Sequence, residues 1–429
     1  MRPLRTELCR VFLLPGLIAL GLGGTAGCSG AAPDAPTTNV MVFEGARLLV
    51  GDGQTIESAT FSVVDGRFAA VGVTGEVEVP AGATRVDLSG RTVMPAIIDT
   101  HTHLRQTRAE LVEDLQRRTF WGVGAAMSLG QDQGEVPFAV RAEEIAGAAR
   151  FRTAGRGLTA PEPGRSEVPY WITSEEEARN AVAEQADAGV DIIKLWVDDR
   201  GGQYAKLTPA LYGAAIDEAH RRGLRVTAHL FTLEDAKGLL GAGVDAFAHG
   251  VRDRDVDDAF VAMMTARPDL VLVPNLPGRG VATDMRWVGA GVSAAQLEQL
   301  QAAAVDNAAA QEAFGIQARN LARLSAAGVR IALGSDGNSP WGPHQEMEDM
   351  VAAGMTPAAV VVAATGNAAE FLRLDQAGTV AAGKSADFIV LEANPLDNIT
   401  NTRRIDSVYM RGEQIDRDGM SARMTAPAE

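Results

Sequence analysis

Val93–His103 reads VMPAIIDTHTH, an apolar run of strand type that ends in two histidines one residue apart. On a strand, residues i and i+2 point to the same side, so His101 and His103 present two imidazoles together where the run ends. Two imidazoles so placed can grip one metal ion. An isolated pair of this kind arises often by chance, and a lone histidine is commonly a hydrogen-bonded core residue. The weight therefore comes from what repeats downstream.

Seven further short apolar runs follow: 122–130, 151–158, 190–197, 224–230, 244–249, 270–275 and 329–336. Helical stretches such as SEEEARNAVAEQADAG (174–189) separate several of them. Eight strand–helix units imply an α/β fold with a parallel sheet, and that number over about 240 residues predicts a (β/α)8 TIM barrel. A doubly wound sheet is the alternative, but no glycine-rich phosphate loop supports it. Four units share a pattern in which Gly189, Gly223, Gly243 or Gly328 ends a helix and a strand follows. Five to eight residues after each glycine stands one polar residue: Lys194, His229, His249 and Asp336. Such residues fall at strand C-terminal ends, the active-site face of this barrel type. With His101 and His103 they make six candidate metal ligands on one face, too many for independent coincidence.

In this order and on these strands, the ligand set resembles that of the amidohydrolase superfamily. VMPAIIDTHTHL is similar to its first-strand signature, with Ala96 where glycine is usual. DIIKLWV, AHRRGLRVTAH, AGVDAFAHG and ALGSDG resemble its later metal segments, and MVAAGMTPAAVVVAATGNAAEFLRL with AGTVAAGKSADFIVLEANPLDNI its closing elements. The nearest subgroup is imidazolonepropionase-like and prolidase-like. The resemblance implies a divalent-metal enzyme, with two zinc ions expected and manganese, cobalt or iron also suited. It implies His101, His103 and Asp336 on one ion, His229 and His249 on the other, and a carbamylated Lys194 between them. A structural lysine beside a single ion is the competing reading. The implied reaction is hydrolysis of a C–N bond in an amide, peptide or cyclic amide by a metal-held hydroxide, with Asp336 as acid and base. An Xaa-Pro or Xaa-Arg type dipeptidase, or an ester or lactone hydrolase, is the alternative. A solute-binding lipoprotein or a degenerate scaffold is disfavoured because no ligand is missing. His344, in the loop expected over 338–345, and Trp196, Trp341 and Arg105 are candidate substrate contacts, each of which could equally be packing or surface. His220, late in a helix, is expected to be structural.

Short β-like runs at 40–92 and 376–415 flank the barrel, expected over 93–375, and are expected to form a small β-sandwich together; 416–429 is expected as a tail. Asp65-Gly66 between two such runs signals a hairpin. The 429 residues are 46% hydrophobic and 22% charged, a globular balance that excludes disorder. The net charge of −16 disfavours nucleic acid as a partner, which leaves a small-molecule amide or peptide substrate and leaves a homo-oligomer open. The only cysteines are Cys9 and Cys28, so a disulfide framework is excluded for the body of the chain. Arg2, Arg5 and Arg10 precede an apolar run from Val11 to Leu22 that is too short to span a bilayer and reads as a secretory signal over 1–27. Thr25-Ala26-Gly27-Cys28 resembles a bacterial lipoprotein cleavage box, with Thr25 where an aliphatic residue is usual. It implies lipidation at Cys28, a tether over 28–39 and a place at the periplasmic face of the outer membrane. A soluble periplasmic or secreted form is the alternative.

Overall fold

A computed structural model describes residues 40–426; the signal, the cleavage box, Cys28 and the tether lie outside the described residues. All eight expected runs carry strand: Ile97–Thr102, Val123–Ser128, Arg150–Thr153, Ile193–Val197, Val226–Leu230, Ala246–Ala248, Val271–Val273 and Arg330–Ile331. The first three pair in parallel, as do the last five. Two seams close the ring. Asp191 N donates to Thr153 O at 3.0 Å between the third and fourth strands, and Thr100 N to Leu333 O at 3.0 Å between the eighth and first. The fold is the expected α/β barrel. The third run departs from expectation: it splits, and Leu158–Thr159 pairs with the fourth strand instead. The break falls at Gly157, where a Cβ would lie 2.2 Å from the Trp196 ring.

Helices start and stop on local signals. Thr107, Ser174, Thr208, Thr232 and Asp257 each cap a helix N-terminus by accepting a backbone N–H, and Ser174 with Glu177 forms a capping box. Gly189 and Gly243 are left-handed C-caps at φ 78° and 97°. The same repeat thus sets each helix's exit and the entry into the next strand.

The flanking segments share one eight-stranded mixed sheet, in which Phe388–Leu391 and Ile405–Met410 from the C-terminal side join Met41–Leu49, Thr55–Val64, Arg67–Val73 and Thr92–Pro95. Strands Arg67–Val73 and Phe388–Leu391 are four places apart, about 19 Å in a flat sheet. Yet the Phe68 and Phe388 rings stand 5.8 Å apart, and Arg67 bridges to Ser385, so the sheet folds over on itself. Phe43, Phe61 and Tyr409 fill the space between its faces. Two boundaries differ from the sequence expectation. Thr92–Pro95 belongs to this sheet, so the barrel proper begins at Ile97. The expected tail contains a helix, Arg417–Thr425, tied to the barrel side by Arg417 donating to Phe120 O at 3.0 Å. Among the described residues no helix is long and apolar enough to cross a membrane.

A Cβ at position 189 would meet only the end of Arg141, 3.8 Å away, so the cost of a side chain there is purely that of the backbone. Gly189→Ala should therefore lower stability by about 1 kcal/mol. Urea unfolding with an unchanged midpoint would show that the cap does not hold this helix end.

Candidate metal centre

The first strand carries Asp99 and His101 into the seam with the eighth. Asp99 accepts from Ser335 N at 2.9 Å and from Ser335 Oγ at 2.6 Å, and Asp336 N donates to His101 O at 2.8 Å. These bonds hold Asp336 at φ 49°, a left-handed conformation that a non-glycine residue rarely adopts. Four of the seven non-glycine residues with positive φ among the described residues stand at this barrel face: Arg200, His249, Asn275 and Asp336. Such concentration of backbone strain marks a functional site. Gly334 makes room for the crowding, since a Cβ there would lie 2.5 Å from Val273 and 2.8 Å from His101 Cβ.

Asp336 is the hub. Its Oδ1 is 3.1 Å from Nε2 of both His101 and His103, and its Oδ2 is 3.5 Å from Nε2 of His249. Donor atoms of His101, His249 and Asp336 lie within 4.8 Å of one another. Zinc–ligand bonds of 2.0–2.2 Å place tetrahedral ligands about 3.4 Å apart, so the spacing suits a divalent cation. The protonation states suit it too. Burial pushes the Asp336 carboxyl up, but His101, His103 and Lys194 outweigh this and hold it below the usual carboxylate range. Burial drives His101 and His249 well down and His229 down to about 4, leaving the neutral imidazoles that bind metal.

Lys194 is fully buried, with Nζ 3.4 Å from His101 Nε2 and 5.4 Å from the centre of the Trp196 ring. It forms no ion pair among the described residues. Burial lowers its ammonium to about 7, with Arg252 and Arg200 adding to the effect and Asp336 opposing it. His229 stacks edge-on to His249 with ring centres 4.5 Å apart, while its Nε2 lies 2.9 Å from Asp198 Oδ2.

The structure thus brings His101, His103, Lys194, His229, His249 and Asp336 to one place. Three of the proposed substrate contacts do not fit that role. His344 is buried in the helix Gly342–Ala352, with both ring nitrogens occupied, by Thr402 Oγ1 at 3.0 Å and Trp121 O at 2.8 Å. No atom of its ring is left for a ligand. Arg105 is committed to Asp114 at 2.6 Å and Glu113 at 3.0 Å. Trp341 packs in the aromatic cluster of Trp121 and Val288. Trp196 is a buried platform beneath Lys194. His220 pairs with Asp245 at 2.9 Å near its helix end, a structural role.

Sequence reasoning passed over three residues that shape the centre. Asn275 closes the seventh run, and its Oδ1 accepts from His101 Nδ1 at 2.9 Å, which leaves Nε2 unprotonated toward Asp336. Asp198 receives His229, and Arg200 braces Asp198 at 2.6 Å and Glu162 at 2.9 Å. The signal available was position alone, since all three follow strand ends.

Comparison with known proteins gives three informative likenesses. An uncharacterized protein of Mycobacterium tuberculosis is 32% identical over 229 residues, which covers 50% of this chain and 58% of that relative. The chain therefore spans little more than half the length of that curated relative. An imidazolonepropionase of Deinococcus radiodurans is 26% identical over 398 residues, covering 85% of this chain and 94% of that protein. A solved structure from Bifidobacterium longum, provisionally described as a prolidase, is 28% identical with a TM-score of 0.73 and covers 91% of this chain and 100% of its own. Residues 92–415, which hold the whole barrel and all six clustered side chains, match the sequence model of the Amidohydrolase family, and the chain belongs to that family.

Proposed function

We propose that the chain is a metal-dependent hydrolase that cleaves the C–N bond of an amide, with a dipeptide as the favoured substrate class. The observation that carries the reading is the Asp336 carboxylate set among imidazoles at ligand spacing. Support for a dipeptide over a cyclic amide comes from the prolidase-like structure, whose full length this chain covers at 28% identity. A divalent cation bound there would acidify water and polarise the substrate carbonyl. Asp336, ionised and itself one of the ligand set, takes a proton from the attacking water and delivers it to the leaving nitrogen. A C–O bond forms, the C–N bond breaks, and the amine leaves neutral.

The donor set is assigned to two ions, probed as zinc: His101, His103 and Asp336 toward one, His229 and His249 toward the other. Lys194 between them is proposed to be carbamylated. The buried ammonium first loses a proton, and the free amine then adds CO2 and releases a second proton, which converts an unpaired cation into a carboxylate suited to two cations. Asn275 holds His101 in the tautomer that presents Nε2, and Asp198 orients His229. Export and lipid anchoring through Cys28 are proposed on the basic start, the short apolar run and the small-residue box.

Three outcomes test these assignments. Asp336→Asn should retain most of the metal yet lose roughly 10²–10⁴-fold in kcat. Dipeptide hydrolysis within tenfold of the parent at matched metal content would exclude Asp336 as the proton carrier. Asn275→Ala should weaken zinc binding by about 10- to 100-fold in a chelator competition, whereas Asn275→Asp keeps the acceptor and the affinity. Equal affinities for Ala and the parent would remove the positioning role. Cys28→Ala should move the protein out of the membrane fraction; unchanged fractionation, or a mature N-terminus without lipid by mass spectrometry, contradicts the anchor.

A further inference from the structure

Three residues beyond His249, where the sixth strand gives way to its loop, stands Arg252. Its backbone N–H donates to Phe231 O at 2.9 Å, which fastens this loop to the one that follows His229. Arginines at the same face are matched by carboxylates: Arg200 meets Asp198 and Glu162, and Arg105 meets Asp114. Arg252 is different. It forms no ion pair among the described residues, and its Nε is buried without a hydrogen-bond partner. A guanidinium carries five N–H donors in a rigid fork, so leaving the buried Nε–H unmet on this half-buried side chain is unfavourable.

Arg252 is three residues from His249, and its loop is bonded to the one that follows His229, so the guanidinium is carried beside the metal centre. Burial disfavours its charge, and the carboxylates of Asp336 and Asp198 oppose this. Phe231, bonded to it through the backbone, is a large apolar side chain left 42% exposed. An unmatched cation and an exposed aromatic ring thus lie together beside the ligands. A planar fork of donors is shaped for two-point recognition of a carboxylate.

We propose that Arg252 receives a carboxylate of the substrate, so that the preferred substrates are amides of amino acids whose free carboxylate lies close to the scissile bond, with an apolar portion against Phe231. This rests on the hydrolase reading above and adds to it the residue that selects the substrate. The carboxylate fills the place of the missing counter-ion, and Arg252 draws the substrate to the centre without itself exchanging a proton.

The test uses the full, zinc-loaded protein and calorimetric titration with a panel of N-acetyl amino acids and their matching primary amides. The parent should bind the responsive carboxylates about tenfold or more tightly than the matching amides. Arg252→Met, which keeps much of the apolar stem, should lose that preference at unchanged zinc content, while Arg252→Lys should keep part of it. Equal binding of acids and amides by the parent overturns the proposal. So does a preference that survives in both variants, or loss of zinc by Arg252→Met, which would place the guanidinium against the metal ligands instead. Dipeptide turnover is measured in parallel. Arg252-dependent carboxylate binding without turnover of any dipeptide would defeat the hydrolase reading and leave this site standing.

Discussion

The seam between the first and eighth barrel strands is the constraint on which the centre depends. Asp99 takes both the N–H and the hydroxyl of Ser335, and Asp336 N–H is bonded to His101 O. Asp99 is wholly buried, and burial pushes its carboxyl up, with Arg118 and the Ser335 bonds opposing. These bonds do two things at once. They close the ring of strands, and they hold Asp336 in a left-handed conformation that aims its carboxylate at His101, His103 and His249. Backbone closure and ligand geometry are therefore one structural fact, and the strain at Asp336 is borne by bonds that the barrel needs in any case.

Electrostatics at this face run against the sign of the whole molecule. The chain carries a net charge of −16, yet buried or half-buried cations gather at the centre: Lys194, Arg200 and Arg252. Burial disfavours the charge on Lys194 and Arg252, and repulsion from the neighbouring guanidinium groups adds to this. The imidazoles beside them stay neutral for the same reasons. Such a setting disfavours protons and favours a denser, better-coordinated cation together with anionic substrate groups. Asp198 and Glu162 stabilise Arg200, while Arg252 is left to an external partner.

The folded-over β-sheet bears on the barrel through its joint strands. Thr92–Pro95 runs antiparallel to Phe388–Leu391 and leads directly into Ile97, so the entry of the ligand-bearing strand is set by residues nearly 300 positions later in the chain. Arg150 at the start of the third barrel strand pairs with Asp387, whose other oxygen accepts Arg411 N–H at 2.7 Å. Closing the chain on itself in this way restrains both ends of the barrel's sequence.

Much of the architecture was legible in the residues because it depends on local chemistry. Glycine after a helix and an apolar run after the glycine mark four of the strand–helix units, and with the other apolar runs they make the eight that define a barrel before any contact is known. The six clustered side chains were legible for a related reason: each lies on or shortly after a barrel strand, and the strands of a parallel barrel converge on one face. What depends on partners distant in sequence was decided only by tertiary structure. Asn275 became the partner of His101, and Asp198 that of His229, through packing across strands that no spacing rule encodes. His344 and Arg105 stood in the right segments, but Thr402, Trp121 and Asp114 claimed their polar atoms. A residue's type and its place along a strand are properties of the chain, whereas whether its donors are free is a property of everything that folds against it.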